Sequence, residues 1–358
     1  MIFPQAKDPQ DKAAGIRAHR QGAHRNPYGL RVALVVALSV WSSACAPTEP
    51  TTAVGGGQPT QVESNPLPKA QVDTGSAYLD PTKPLPDTIQ LVFGVYKTDK
   101  ATELYRMFLP VLEAVQVDLS NRLDLDIGIE LRIFGTYEEG LQALVENQVD
   151  FVRFGPTSYV LAKDLEPSVQ LLAKESKKGK GTFKGVICVK QDSSYQTLED
   201  LRGSRFAFGN MDSTIGRYLA QNELLNAGIF ARDLQEHTYL AQHDMVAKAV
   251  SLGDYDAGAL KESTYEKVNS DSVLRKLHSF DNITKPWVAS STLHPELVAG
   301  LKETLLQSND PIALASLKIT GFLGAQDDDY QPVRSAMKRV LAEFDTELAP
   351  TNPKPAAK

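Results

Sequence analysis

The chain has 358 residues, enough for two domains with cores of their own plus extra segments. Hydrophobic residues make up 42% and charged residues 23%, which are globular values and exclude a disordered or fibrous chain. The net charge of −6, with no domain-scale basic excess, argues against a nucleic-acid surface but leaves room for a small anion held by local positive potential.

Arg17, Arg20, Arg25 and Arg31 precede the apolar run Val32 to Trp41, followed by Ser42, Ser43, Ala44 and Cys45. A basic region, a short apolar core and small residues before a cut site predict a signal peptide over residues 1–44. The run is too short to span a bilayer, which needs roughly 20 apolar residues. Cys45 resembles the lipobox cysteine of bacterial lipoproteins, with Ser42 where Leu is usual. The competing reading is a plain signal peptide cut nearby. Residues 45–87 then form a lipidated Cys45 and a tether rich in Pro, Thr, Gly and Gln.

The folded part opens with a strand, Ile89 to Val95, and a loop, Tyr96 to Asp99. An amphipathic helix from Thr102 to Arg122 and a strand from Ile129 to Phe134 follow. Lys174 to Thr182, with four lysines, reads as a solvated loop. Phe183 to Val189 is a strand; its Cys188 is the one cysteine left after Cys45, so no intramolecular disulfide forms in the mature chain and the thiol reads as a core residue. Leu198 to Leu201 is a short helix, and the strand Ser204 to Phe208 runs into a loop, Gly209 to Gly216. A helix from Thr214 to Ala227 stops at Gly228. Ile283 to Ala289 crosses back to the first lobe, and helices near Pro295–Gln307, Pro311–Leu317 and Tyr330–Glu343 close the chain. Residues 346–358, rich in Pro and Lys, read as a disordered tail.

One segment occurs twice at a fixed offset. Tyr137 to Tyr159 reads YEEGLQALVENQVDFVRFGPTSY, and His243 to Tyr265 reads HDMVAKAVSLGDYDAGALKESTY. Laid over each other without a gap, Glu138 meets Asp244, Leu141 and Leu144 meet Ala247 and Val250, and Asp150 meets Asp256. Each copy predicts a helix, a turn, a buried strand and a loop opening a second helix. The duplication predicts two similar α/β lobes, residues 88–183 with 284–345 and residues 184–283, with a ligand between them. Equivalent loops would face it: Tyr137 and Gly155-Pro156 from one lobe, His243 and Lys261-Glu262 from the other.

Asp212, Ser213 and Thr214 lead a helix straight after a strand, where hydroxyls and free backbone N–H groups favour an anion or simply cap the helix. Gly155, Pro156, Thr157 and Ser158 repeat that arrangement in the first lobe. Tyr96, Tyr137 and Tyr159 are hydroxyl donors or cleft walls, and His243 is an anion contact or a helix start. Enzyme signatures fail: there is no Walker A loop, G-x-S-x-G or H-E-x-x-H, and the six histidines lack metal-ligand spacing. Ser335 to Lys338 matches S-x-x-K without its companion motifs. No cofactor is implied.

From Ile89 to Leu341 the chain resembles the phosphate/phosphite/phosphonate-binding proteins of bacterial ABC importers. The carrying stretches are Gly94-Val95-Tyr96, Val149-Asp150-Phe151 with Arg153 to Tyr159, Phe206 to Gly209 with Asp212-Ser213-Thr214, His243-Asp244, Asp256 to Leu260, and Pro286 to Ala289. The resemblance implies a type II periplasmic-binding-protein fold: two α/β lobes joined by two hinge crossings and closing over an oxyanion. It places the ligand at Tyr137, the Phe154-Gly155 loop, Ser213, Thr214, His243 and Lys261-Glu262. Three positions depart from the family pattern. Ile215 replaces a hydroxyl residue, Lys261 replaces Asn, and Lys285 stands where small polar residues are frequent, so a compact, fully anionic ligand is expected. The implied function is a non-catalytic solute-binding lipoprotein on the periplasmic side of the cell envelope, tied to the membrane through its lipid and serving an ABC permease. The alternative is a sensory lipoprotein of the same fold reporting to a histidine kinase.

Overall fold

The computed structural model describes residues 79–345, so the predicted signal peptide, Cys45, most of the tether and the C-terminal tail lie outside the described residues. Two sheets organise the described chain. The first contains β1 (Thr88–Tyr96), β2 (Asp126–Phe134), β3 (Phe151–Arg153), β4 (Gln170–Ser176), β10 (Pro286–Ala289) and β11 (Gly321–Leu323), in the order β11-β4-β10-β3-β1-β2. The second contains β5 (Thr182–Lys190), β6 (Arg205–Phe208), β7 (Glu236–Tyr239), β8 (Ala257–Lys261) and β9 (Leu274–Ile283), in the order β7-β6-β8-β5-β9.

The internal repeat is structural. Its helices α2 (Tyr137–Val145) and α5 (His243–Leu252) lead into β3 and β8, which feed α3 (Pro156–Leu165) and α6 (Glu262–Val268). In one sheet β1 pairs in parallel with β2 and β3, and in the other β6 pairs in parallel with β7 and β8. The paired aspartates explain why that position recurs. Asp150 accepts from the Val92 backbone N–H at 2.6 Å while its own N–H donates to Val92 O. Asp256 accepts from Arg205 N–H at 2.8 Å while its N–H donates to Arg205 O. Each closes the helix-to-strand turn onto the neighbouring strand and satisfies a strand N–H that lies one residue before the paired stretch begins.

Helix α1 (Ala101–Leu123) buries Leu104, Phe108, Val111, Leu112, Val115 and Leu119, a stripe at helical spacing, against α7 (Pro295–Gln307) and α8 (Pro311–Leu317). Beneath it Phe93 packs on Phe151 and on Trp287, each with ring centroids 4.8 Å apart. On the back of the second sheet Cys188 joins Val186, Val246, Val250 and Leu260, the core role expected of it, and burial pushes its thiol up to about 12. The last helix, α9 (Gln331–Glu343), packs on α3 of the first lobe and on α4 (Ala220–Asn226) of the second. Its Val333, Met337 and Val340 therefore share one core with Phe208 and Leu224 as well as with Tyr159.

Two short crossings join the sheets. One is Lys177 to Gly181, between β4 and β5; the other is Thr284 and Lys285, between β9 and β10. They are bonded to each other, since Thr284 donates to Gly181 O from its N–H at 2.9 Å and from its hydroxyl at 3.1 Å. Lys174 to Thr182 is thus not the solvated loop expected from its lysines. Lys174, Glu175 and Ser176 end β4, Glu175 and Ser176 are buried, and Lys174 pairs with Asp329 at 2.7 Å. Only Lys178 and Gly179 form the positive-φ turn that charge and glycine suggested.

Candidate functional site

Strands β1, β3, β6 and β8 all end at the seam between the lobes, and the loops after them meet there. The loop after β6 is set by a backbone contact. Gly209 N–H donates to Gly216 O at 2.7 Å, and a Cβ on Gly216 would stand 2.7 Å from the Gly209 Cα. Two glycines are needed because two backbones touch. That contact turns Asp212, Ser213 and Thr214 into the seam. The helix they open begins as a π-helical turn, Thr214–Leu219, before α4, with Tyr218 N–H reaching back to Ser213 O. Single π turns of this kind are frequent at functional sites. Ser213 caps it: its hydroxyl oxygen accepts from Gly216 N–H at 2.9 Å, leaving its own proton to donate.

The first lobe presents α3. Its second residue, Thr157, donates to the Thr214 hydroxyl oxygen from its backbone N–H at 3.0 Å and from its own hydroxyl at 2.8 Å. The two helix starts predicted to face each other are therefore in hydrogen-bond contact across the seam, all in buried side chains. Behind Thr157 the Tyr96 hydroxyl accepts from Gly155 N–H at 2.6 Å and from the Ser158 hydroxyl at 3.2 Å, so its proton remains available. Tyr96 stacks on Tyr137 at 4.1 Å and on Phe154 at 5.6 Å. Burial raises both tyrosines above the usual phenol range, so they stay neutral donors. Pro156 occupies the first turn of α3, where no N–H is missed. Asp212 lies close enough to raise both tyrosines further, and burial raises its own carboxyl against the pull of Arg217.

His243 starts α5, the position equivalent to Tyr137 at the start of α2. Its Nδ1 lies beside Gly209, sealed from water and without a hydrogen-bond partner. Burial first, then the nearby Lys261 and Lys285, lower its pKa to about 4. The imidazole is therefore neutral at pH 7. Lys261, at the start of α6 and equivalent to Gly155, is pushed down to about 8 by burial and by Lys177 and Arg153. Glu262 does not join the group; its carboxylate is held by Lys276 at 2.7 Å on the second lobe.

The sequence reading flagged Lys285 as a departure from the family pattern but had no place in the site for Lys177 or the Arg153–Glu175 pair. Arg153 holds Glu175 through two bonds, 2.7 and 3.2 Å long, with both side chains buried. Burial alone would raise Glu175, but Arg153 holds it below the usual carboxylate range. Lys285 lies in the second crossing, and burial, Arg153 and Lys261 bring its amine well below the usual range. The readable signal was Lys285 itself, a cation directly before the Pro286 strand; its neighbours come from four separate segments.

The Thr157–Thr214 contact generates a prediction. Thr157→Val removes one buried inter-lobe hydrogen bond, worth about 0.5–1.5 kcal/mol to the closed arrangement. Small-angle scattering of the ligand-free protein should give a larger radius of gyration in the variant than in the wild type. Equal radii would mean that the hydroxyl pair does not hold the lobes together.

Relatives bear on this geometry. The sequence profile of the family described as "ABC transporter, phosphonate, periplasmic substrate-binding protein" matches residues 93–330. The chain is 26% identical over 202 residues to a probable ABC transporter phosphite binding protein, PhnD1, of Prochlorococcus marinus (strain MIT 9301), covering 52% of this chain and 67% of that protein. The structure of PhnD1 from Prochlorococcus marinus in complex with methylphosphonate superposes with a TM-score of 0.60 at 20% identity, over 70% of this chain and 98% of that one. XAC2383 from Xanthomonas citri bound to ATP superposes with a TM-score of 0.62 at 22% identity, over 72% of this chain and 99% of that one. The two-lobed architecture is thus the type II periplasmic-binding-protein fold, and the protein is a binding component rather than an enzyme. The chain belongs to the periplasmic phosphonate substrate-binding proteins of ABC transporters.

Proposed function

We propose that this protein captures a compact phosphorus oxyanion of the phosphate, phosphite and phosphonate class in the cleft between its lobes and hands it to an ABC permease. The observation that carries the reading is the meeting of two helix starts, at Thr157 and Thr214, beside the unpartnered ring nitrogen of His243. Such helix starts offer unsatisfied N–H groups and the positive end of the helix dipole. Ser213, Thr214 and Tyr96 each keep a proton to donate, and the lobes exclude water, which strengthens every contact with a charged ligand. Delivery to a permease is preferred over reporting to a sensor kinase because the family serves ABC transporters.

Calorimetry with methylphosphonate tests the assignment. Loss of a hydrogen bond to a charged group costs roughly 1.5–3 kcal/mol, so Ser213→Ala, Thr214→Ala and His243→Ala should each weaken binding about ten- to a hundredfold. Ser213→Ala should also lose about 1 kcal/mol of folding stability, because the cap to Gly216 goes with it. Ser335→Ala on α9 should change neither. Unchanged affinity in all three cleft variants would place the ligand elsewhere.

The charged cleft also predicts a pH dependence. Lys261 has a folded pKa of about 8 against an ordinary 10.5, so its buried charge destabilises the empty protein below pH 8, and that cost disappears as pH rises from 8 toward 10.5. A bound anion stabilises the ammonium and raises its pKa, so binding above pH 8 takes up a proton. Methylphosphonate affinity should therefore fall as pH rises from 8 to 10, and more shallowly in Lys261→Met. An equally steep fall in that variant would contradict the role given to Lys261.

The proposal includes an anchor at the Cys45 thiol, lipidated and exposed as the mature N-terminus; Arg17 to Cys45 carries the sequence signal for it. Cys45→Ser should shift the protein from the membrane fraction to the soluble one. A wild-type N-terminus found without lipid by mass spectrometry would remove the anchor from the account.

A further inference from the structure

The helix starts around the cleft are capped in two different ways. Thr136 precedes α2 and accepts from Glu139 N–H at 3.1 Å, and Ser213 caps the π-helical turn that it opens. Each uses its own side chain, as helix starts ordinarily do. Helix α3 has no such residue. Its N-cap is Gly155, and a Cβ there would stand 2.9 Å from the Tyr96 hydroxyl oxygen, so a capping side chain is crowded out. Pro156, at the first helical position, brings no N–H. The first N–H to be satisfied is therefore that of Thr157, and the Thr214 hydroxyl of the other lobe takes it at 3.0 Å. A capping oxygen normally accepts from the second or third helical N–H, and Thr157 is the second residue of α3. Thr214 is thus the N-cap of α3 in all but chain position, supplied across the seam. Thr157 is 1% and Thr214 6% exposed, so the cap is shielded from water.

The Thr157 hydroxyl lies 2.8 Å from the same oxygen. An anion that takes the Thr214 proton fixes the direction of that bond, because the Thr157 proton is then the only one left to lie between the two oxygens. Three donors then point one way, from the α3 start through Thr214 to the ligand. Hydrogen bonds arranged head to tail polarise one another, so charge on the anion strengthens both bonds that Thr157 makes. The positive end of the α3 dipole reaches the ligand along the same path. Opening the lobes leaves the Thr157 N–H without its cap, and a bound anion makes that loss larger. We propose that Thr157 is a positioning residue that acts through Thr214, and that this cross-seam cap turns anion binding at Thr214 into closure of the lobes. This rests on the reading of the cleft as an oxyanion site. The place of Thr157 after Gly155-Pro156 suggests a direct ligand contact, but both its donors are committed to Thr214.

A double-mutant cycle read by calorimetry with methylphosphonate tests the relay. Thr157→Val keeps the backbone N–H and removes the hydroxyl, so it should weaken binding roughly two- to tenfold. Added to Thr214→Val, the same change should cost less than about twofold, because its partner oxygen is already gone. Thr214→Ser keeps a hydroxyl, and in that background Thr157→Val should have its full effect. Additive losses in the Thr214→Val background would show Thr157 acting on the ligand by itself. Unchanged affinity in Thr157→Val would show no coupling. Either result, with methylphosphonate still bound by the wild type, overturns this proposal and leaves the oxyanion reading standing. Amide exchange without ligand reads the cap directly. The Thr157 N–H should exchange faster in Thr214→Val than in the wild type, and Thr214→Ser should slow it again. Leu161 to Leu165, deeper in α3, should exchange alike in all three, which shows the helix folded. Equal Thr157 exchange in the wild type and Thr214→Val would overturn the cross-seam cap. If the cap is seen by exchange but no form binds methylphosphonate, the oxyanion reading fails and the relay fails with it.

Discussion

The Thr214 hydroxyl accepts two hydrogen bonds from Thr157, and through that one oxygen two lobes built from a duplicated unit meet at their helix starts. The rest of the site depends on how the backbone reaches this point. Gly209 and Gly216 have to touch for the Ser213–Thr214 turn to project into the seam, and a side chain on either would push the loop away. On the opposite wall Tyr96 fixes the α3 start by accepting from Gly155 and Ser158. Hydroxyls that accept from the scaffold keep their protons for something else. This division of labour, scaffold to the oxygen lone pairs and ligand to the protons, lets a neutral wall serve an anion.

Electrostatics divides the cleft further. Neutral tyrosines line one part, while Lys261 and Lys177 lie over Phe183 and the neutral His243 stands near Lys261 and Lys285. Because Lys177 and Lys285 sit in the segments that join the lobes, an anion bound between them would neutralise charge where closing motion is concentrated. A ligand shifts such an equilibrium by its difference in affinity for the closed and open forms, and charge that becomes sequestered only on closure is one source of that difference. The shared core that α9 makes with both lobes limits how far they can separate.

Much of this architecture was legible in the amino-acid order. The repeat stood out because Asp150 and Asp256 do the same job, and a turn that needs a carboxylate to reach back to a neighbouring strand tolerates few other residues. Helices α1, α7 and α8 were readable from apolar spacing. Strand β4 was not, because Gln170–Ser176 lies between two other strands yet ends in Lys174 and Glu175, whose charges are matched by Asp329 and Arg153 far along the chain. In the site, Ser213, Thr214, His243 and Tyr137 were visible as helix starts. Glu262 was visible for the same reason but turns to Lys276, a partner that only strand pairing brings near. Lys261 and Lys285 were visible as departures from the family pattern, whereas Lys177 and Arg153 escaped because each alone reads as a surface lysine or a strand residue.

The central claim, that a phosphorus oxyanion is held between the two duplicated helix starts, is tested most directly by a crystal structure of the protein with methylphosphonate. The account predicts the phosphonyl oxygens within hydrogen-bond distance of the Ser213 and Thr214 hydroxyls and the His243 ring, with Tyr96 and Tyr137 walling the methyl group. A phosphonyl group bound at any other surface, with these three side chains empty of ligand, would contradict it.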